Sequence, residues 1–341
     1  MAGLFRLLKM QYMPPTDPTG VSFAGKIVLL TGATSGLGFE AAIKILNLGA
    51  ESLIIGSRDL QRGKDAKMKL EKVTNRSNAV QVWELEMNSF ASVKRFADRI
   101  NKDVSRLDIA ILNAGIWNKD YYQSPEGWEE VLQVNTLSTS LLALLLLPKL
   151  KMCAYPNNPS HLSVVSSQQF VRVKPESVQT DKILLAHVND PDNFAGPKQY
   201  GISKLLLEFV MKQIAISLRD DYQTRETHNV IVNTVSPGLC KSSLGRQYDS
   251  WWEKCLKWVM YTLFARTTEQ GSRLLVSAVL QGVESQGRCW RNDGYLDESA
   301  ALTTGPGADE LQKKVWEEVI NVLVDEAPEV SLIARGLYPS L

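Results

Sequence analysis

The 341-residue chain has little cysteine and less histidine, four residues of the first and three of the second. Cys153, Cys240, Cys255 and Cys289 are scattered, with no CxxC pair and no histidine at ligand spacing. That pattern predicts free thiols in a reducing, cytoplasmic setting and no metal site. Charge of either sign is not in excess: 38 Lys+Arg against 37 Asp+Glu leave +1. No broad basic field can hold a polyanion, so nucleic acid is not an expected partner. Long hydrophobic runs are missing too. Leu141 to Leu147 ends at Pro148, far short of the roughly 20 residues that cross a bilayer, and no transmembrane helix is expected. The first residues, MAGLFRLLKMQYM, have two cations and an apolar stripe but no extended apolar core and no small-residue cleavage site, unlike a secretory signal. They are expected to lie on the surface as an arm, with peripheral membrane contact by residues 1–13 as the alternative.

What is present reads as one folded unit. A hydrophobic fraction of 44% and a charged fraction of 22% sit near globular averages. Pro14, Pro15, Pro18 and Gly20 set off an arm of residues 1–21. From Lys26 to Leu30 a branched apolar run predicts a buried strand, followed by a helical pattern through Phe39, Ala42, Ile43 and Leu46. The alternation continues with strands at 52–55, 80–85, 107–112, 161–165 and 230–235, and helices at 59–73, 89–102, 127–150 and 198–219. It predicts an α/β fold: a single doubly wound Rossmann domain over 22–330, its parallel sheet covered by helices on both faces, with a tail at 331–341. Two long inserts, 168–197 and 239–270, are expected to shape a site at the carboxyl ends of the strands.

Behind the first strand stands Thr31-Gly32-Ala33-Thr34-Ser35-Gly36-Leu37-Gly38. A tight strand-to-helix turn needs residues without Cβ, which also lets peptide N–H groups approach a pyrophosphate at the helix N-terminus. The G-x-x-x-G-x-G spacing therefore reads as a dinucleotide cradle, or else as a structural turn. Where a NAD-binding chain carries an acid to hold the ribose, this one reads Gly56-Ser57-Arg58. Ser57 can donate a hydrogen bond and Arg58 a forked cation to a 2′-phosphate, so NADP(H) is favoured. The competing view makes Arg58 a solvated helix-start residue.

Further on come Asn113-Ala114-Gly115, Asn135, Ser166-Ser167 and Tyr200-Gly-Ile-Ser-Lys204. Tyr200 and Lys204 are one helical turn apart and share a face. A phenol with an ordinary pKa near 10 is a poor acid–base group at neutral pH unless a neighbouring cation favours its phenolate.

With Pro237-Gly238, these motifs in their order resemble the short-chain dehydrogenase/reductase family over about residues 22–300. The wording EGWEEVLQVNTLS, LLALLLLPKL, VNTVSPGLC and ARTTEQGS is similar to fungal secondary-metabolite reductases and, more distantly, to the retinol-dehydrogenase-like branch. The resemblance implies Tyr200 as proton donor, Lys204 on the nicotinamide ribose lowering the Tyr200 pKa, Ser167 polarising the carbonyl, and Asn135 holding a relay water. It implies cofactor contacts from Gly32, Thr34, Ser35, Gly36, Leu37 and Gly38. Others come from Ser57 and Arg58, from Glu86 and Met87 on the adenine, and from Asn113, Ala114 and Gly115. Pro237, Gly238 and Ser242 would bracket the nicotinamide. The helices at 127–150 and 198–219 would form a dimer interface, though monomers occur in the family. Glu86 replaces the family's usual Asp, and the 33-residue interval from Ser167 to Tyr200 is unusually wide.

In 251–264, WWEKCLKWVMYTLF, Trp251, Trp252 and Trp258 fall in a helical pattern. They are expected to form a lid over a bulky lipophilic substrate, with a core helix or a membrane-facing patch as alternatives. The leading expectation is an NADPH-dependent reductase of ketones or aldehydes, or the reverse oxidation. The alternative is a redox-silent chain using Tyr200 for isomerisation, dehydration or cyclisation.

Overall fold

Six apolar segments become the strands β1 (Ile27–Thr31), β2 (Ser52–Ser57), β3 (Val80–Glu84), β4 (Ile109–Leu112), β5 (Ser160–Val165) and β6 (Val230–Val235) in a computed structural model. The structure describes residues 13–155, 158–180, 182–221, 230–241, 244, 247, 250–296 and 301–337. Two short strands missing from the sequence reading, β7 (Cys289–Arg291) and β8 (Gly294–Tyr295), extend the sheet to eight strands in the order β3-β2-β1-β4-β5-β6-β7-β8. The pairings are parallel except the last, where β8 returns antiparallel on β7.

Strand residues alternate between two cores, as a period of two requires. Leu29, Ile54, Ala110, Leu112, Leu162 and Val164 feed one face. Val28, Leu30, Leu53, Ile55, Ile109 and Ile111 feed the other. The second face is covered by α1 (Gly36–Asn47), α2 (Leu60–Thr74) and, further along the chain, α8 (Thr268–Ala278). The first face carries α3 (Phe90–Asp103), the long α4 (Glu130–Cys153) and α6 (Gly196–Asp221). Among the described residues α4 alone has the length and apolarity of a membrane span, but 94% of its apolar window is buried inside the fold. Its leucines belong to the core because the helix is apolar all round.

Within the insert after β5 lie three 3-10 turns and the short α5 (Leu184–Asn189). The Glu318 carboxylate of α10 (Ala308–Glu326) accepts from Leu184 N at 2.9 Å and Leu185 N at 2.8 Å, anchoring α5. The remaining helices are α7 (Trp251–Phe264), α9 (Ala301–Thr304) and α11 (Glu329–Leu337). α10 packs on α6 and α11 on α4, with Trp316, Val330 and Ala334 buried in the first core. The tail placed at 331 therefore begins inside a packed helix. In the arm, Asp17 bonds Lys44 at 3.0 Å and Pro15 O accepts from Arg273, which ties residues 13–17 to the domain.

Candidate active site

Strand order reverses between β1 and β4, and the crevice beyond their carboxyl ends opens there. A cavity of about 840 Å³ occupies it. It collects nearly every residue singled out from the sequence: Gly32, Thr34, Ser35, Gly36, Leu37, Gly38, Ser57, Arg58, Glu86, Met87, Asn113, Ala114, Gly115, Ser167, Tyr200, Lys204, Pro237 and Gly238 all line it. Asn135 sits fully buried behind the wall. Ser242 lies outside the described residues.

At the glycine turn, Gly32 adopts φ 66°, and a Cβ on Gly38 would stand 2.3 Å from Gly32 O, a contact no side chain tolerates. Ser35 is the N-cap of α1 and makes no side-chain capping bond, so its first-turn N–H donors face the cavity without an internal acceptor. Asn113 braces the turn: its Nδ2 donates to Thr31 O at 3.0 Å and Gly32 O at 3.1 Å. These features fit the pyrophosphate of a dinucleotide.

At the far end of β2, Ser57 donates to Asp59 O at 2.7 Å and Arg58 stands exposed on the cavity. Asp59 Oδ1 caps α2 by accepting from Gln61 N at 2.9 Å and Arg62 N at 3.1 Å, which engages that carboxylate at the helix N-terminus. Arg62, which the sequence reading passed over, lines the same end. Beside it Glu86 accepts from Asn88 N at 2.9 Å, and Met87 is buried.

At the other end, Tyr200 and Lys204 project from one face of α6. Burial pushes the Tyr200 phenol up to about 12, opposed by a hydrogen bond with Ser167. Lys204 Nζ donates to Val165 O at 2.8 Å, and burial lowers it to about 8, opposed by the Glu208 carboxylate one turn on. The lowering of Tyr200 expected from Lys204 is not found: desolvation raises the phenol and the Ser167 hydrogen bond is what opposes it. Ser167 faces Tyr200, whereas Ser166 is buried toward Glu208. Glu208 accepts from Thr234 Oγ1 at 2.9 Å, and burial raises its carboxyl despite Ser166, Thr234 and Lys204 nearby. Ser166 Oγ lies close enough to favour the Glu208 carboxylate, but neither it nor Glu208 Oε1 completes a hydrogen bond of good geometry.

Asn135 is set by a π-helical turn, Gln133–Ser138, inside α4. Its Nδ2 donates to Ile116 O at 2.9 Å and Ser203 Oγ at 3.1 Å, and its Oδ1 accepts from Ile116 N at 2.9 Å. Besides Arg62, three features of the site carry no signal in the sequence motifs. Trp117 stacks on Tyr200 with ring centroids 5.3 Å apart and planes 24° apart. Glu208 lies at i+4 from Lys204, a spacing that could have flagged it. Gln247 bridges Asn118 and Lys119 across the cavity mouth, with Lys119 N donating to its Oε1 at 2.9 Å.

From the insert 239–270, which contains the segment expected as a lid, Leu239, Cys240, Leu244, Gln247 and Tyr261 line the cavity. Trp251, Trp252 and Trp258 do not: they are exposed on the outer side of α7, which also rules out the core alternative for them.

A family model described as short chain dehydrogenase matches residues 26–169. The chain is 43% identical over 325 residues to the short-chain dehydrogenase/reductase phmF of Phaeosphaeria nodorum, covering 95% of this chain and 93% of the relative. It is 41% identical over 319 residues to the short-chain dehydrogenase/reductase ffsI of Aspergillus flavipes, covering 93% of this chain and 91% of the relative. Among solved structures, the Pseudomonas aeruginosa RhlG/NADP active-site complex superposes with a TM-score of 0.59 at 23% identity, over 79% of this chain and 94% of that one. A short-chain dehydrogenase from Shigella flexneri complexed with NADP gives 0.55 at 21% identity, over 80% and 98%. At these identities the structural likeness is one of fold.

Proposed function

The chain belongs to the short-chain dehydrogenase/reductase family, and we propose that within it the protein interconverts a ketone or aldehyde and the matching alcohol on a small lipophilic molecule, with NADP(H) as cofactor. One observation carries this reading: a single cavity joins the glycine turn and two guanidinium groups at one end to Tyr200, Lys204 and Ser167 at the other. When bound there, the dinucleotide supplies or accepts the hydride. The chain binds, orients and moves the proton.

Tyr200, held near 12 by burial, keeps its proton at neutral pH and is set to donate it to a carbonyl oxygen during reduction. Ser167, beside the phenol, polarises that oxygen. Lys204 is the cation at the ribose, its Nζ fixed by Val165 O. A Cβ on Gly115 would stand 3.1 Å from Asn135 Oδ1 and 3.6 Å from Lys204 Nζ, so this loop passes close to both side chains, and Asn135 is assigned the relay water behind Lys204. Trp117, Leu239, Leu244 and Tyr261 give the substrate end an apolar lining, in keeping with a fungal secondary-metabolite intermediate. α10 packs on α6 and α11 on α4, the helices that pair in a family dimer, and the protein is proposed to act as a monomer or homodimer in the cytoplasm or at a membrane surface.

Cofactor choice rests on Arg58 and Arg62, with Asp59 occupied at the N-terminus of α2. Arg58→Ala is expected to weaken NADPH binding by about 1.5–3 kcal/mol, the range for a hydrogen bond to a charged group, and to leave NADH nearly unaltered. Titration of both nucleotides against wild type and variant checks this. Equal affinity of the wild type for NADH and NADPH contradicts it.

A further inference from the structure

Along α7, Trp251, Trp252, Cys255, Trp258, Val259 and Leu263 recur at helical spacing and form one stripe. The stripe faces solvent: Trp251 is 78% exposed, Trp252 54% and Trp258 69%. A helix that serves only its own domain turns such a stripe inward, and a contiguous exposed apolar face marks an interaction surface. Lys241 and Lys254 border Trp258 around a shallow hollow that Tyr261 and Thr262 complete. Tyr261 also lines the catalytic cavity, so the hollow and the active site share a wall. The root of the projection is pinned, with Lys241 N donating to Arg266 O and Arg266 N to Leu239 O, both at 2.9 Å. Arg266 Nη2 reaches Met13 O at 3.5 Å, so Met13 is held at that root. The twelve residues before it, MAGLFRLLKMQY, have Arg6 and Lys9, five large aliphatic or aromatic residues between Leu4 and Tyr12 besides Met10, and no acid.

We propose that α7 docks the protein on an anionic membrane surface, with Trp251, Trp252 and Trp258 at the headgroup boundary and Lys241 and Lys254 against lipid phosphates. Indoles interleaved with ammonium groups match a boundary that is apolar on one side and negatively charged on the other. A second copy would bury the indoles but would bring the same lysines face to face. The cationic, acid-free composition of residues 1–12 adds to the attraction of an anionic surface. A lipophilic substrate dissolved in the bilayer would then meet the cavity at Tyr261. The docking itself does not depend on the catalytic reading.

Co-sedimentation of the full chain with phosphatidylcholine vesicles, with and without phosphatidylserine, tests this without any turnover. Wild type is expected to pellet with the anionic vesicles and to be released by salt. Combined Trp251→Ala, Trp252→Ala and Trp258→Ala should lower binding about tenfold or more while NADPH affinity and melting temperature hold. Trp251→Glu, at the most exposed position, gives a second reading should the triple variant lose stability. Lys241→Gln with Lys254→Gln should abolish the preference for anionic lipid. Wild type remaining in the supernatant with both vesicles overturns the proposal. So does vesicle binding that survives the tryptophan changes, or a dimer seen by light scattering that those changes dissolve.

Discussion

Lys204 carries its charge into a site where burial lowers it to about 8, and Glu208 is the group that opposes this. The carboxylate is approached by Thr234 from β6, Ser166 from the end of β5, Cys289 from β7 and Lys204 from its own helix. Removing the negative charge leaves the ammonium less favoured. In Glu208→Gln the loss of the Lys204 proton, which in wild type sets in as pH rises past about 8, is therefore expected to begin at lower pH. NADPH affinity measured against pH should fall earlier in the variant, with the amide still able to accept from Thr234. Superimposable profiles for the two proteins contradict that role. The places of Tyr200, Lys204, Ser167 and Asn135 in and behind one cavity were legible because the proposed chemistry needs those residue types in that chain order. Trp117 and Arg62 were not, since one acts by stacking across a loop and the other by standing one turn into a polar helix.

Elements were legible where periodicity was strong and long. α7 matches its expected range of 251–264, yet its stripe was read as facing the substrate, and only the packing shows which way a helix turns. The π-helical turn at Gln133–Ser138 leaves no trace in an apolar run, because one extra residue per turn alters direction and not composition. α10 carries Val315, Trp316, Val319, Ile320 and Leu323 on its buried face, a helical signal that ends in the first core. Two tryptophans now separate by role. Trp316→Ala, at 1% exposure, is expected to cost about 3–5 kcal/mol, whereas Trp251→Ala should leave the melting temperature nearly unchanged. Thermal melts of both variants decide it; equal losses would contradict the placement of α7.

For the molecule as a whole, the β-α beat led to a doubly wound parallel sheet because successive apolar strands are separated by crossover helices, which leaves few ways to wind the chain. The 33-residue interval between Ser167 and Tyr200 is explained by α5, held against α10 by Glu318, so the insert's length serves packing as well as the site. Neither β7–β8 nor the closure of α10–α11 over α6 and α4 follows from local pattern, since both depend on partners distant in the chain. The central claim joins this architecture to one proton: Tyr200 donates it while NADPH is oxidised. Following NADPH oxidation with a panel of lipophilic ketones and aldehydes, by wild type and by Tyr200→Phe, tests it directly. The account predicts turnover by wild type and a fall of about 10²–10⁴ in kcat for the variant, with NADPH still bound. A variant that retains near-normal kcat, or wild-type product formation without NADPH oxidation, would contradict it.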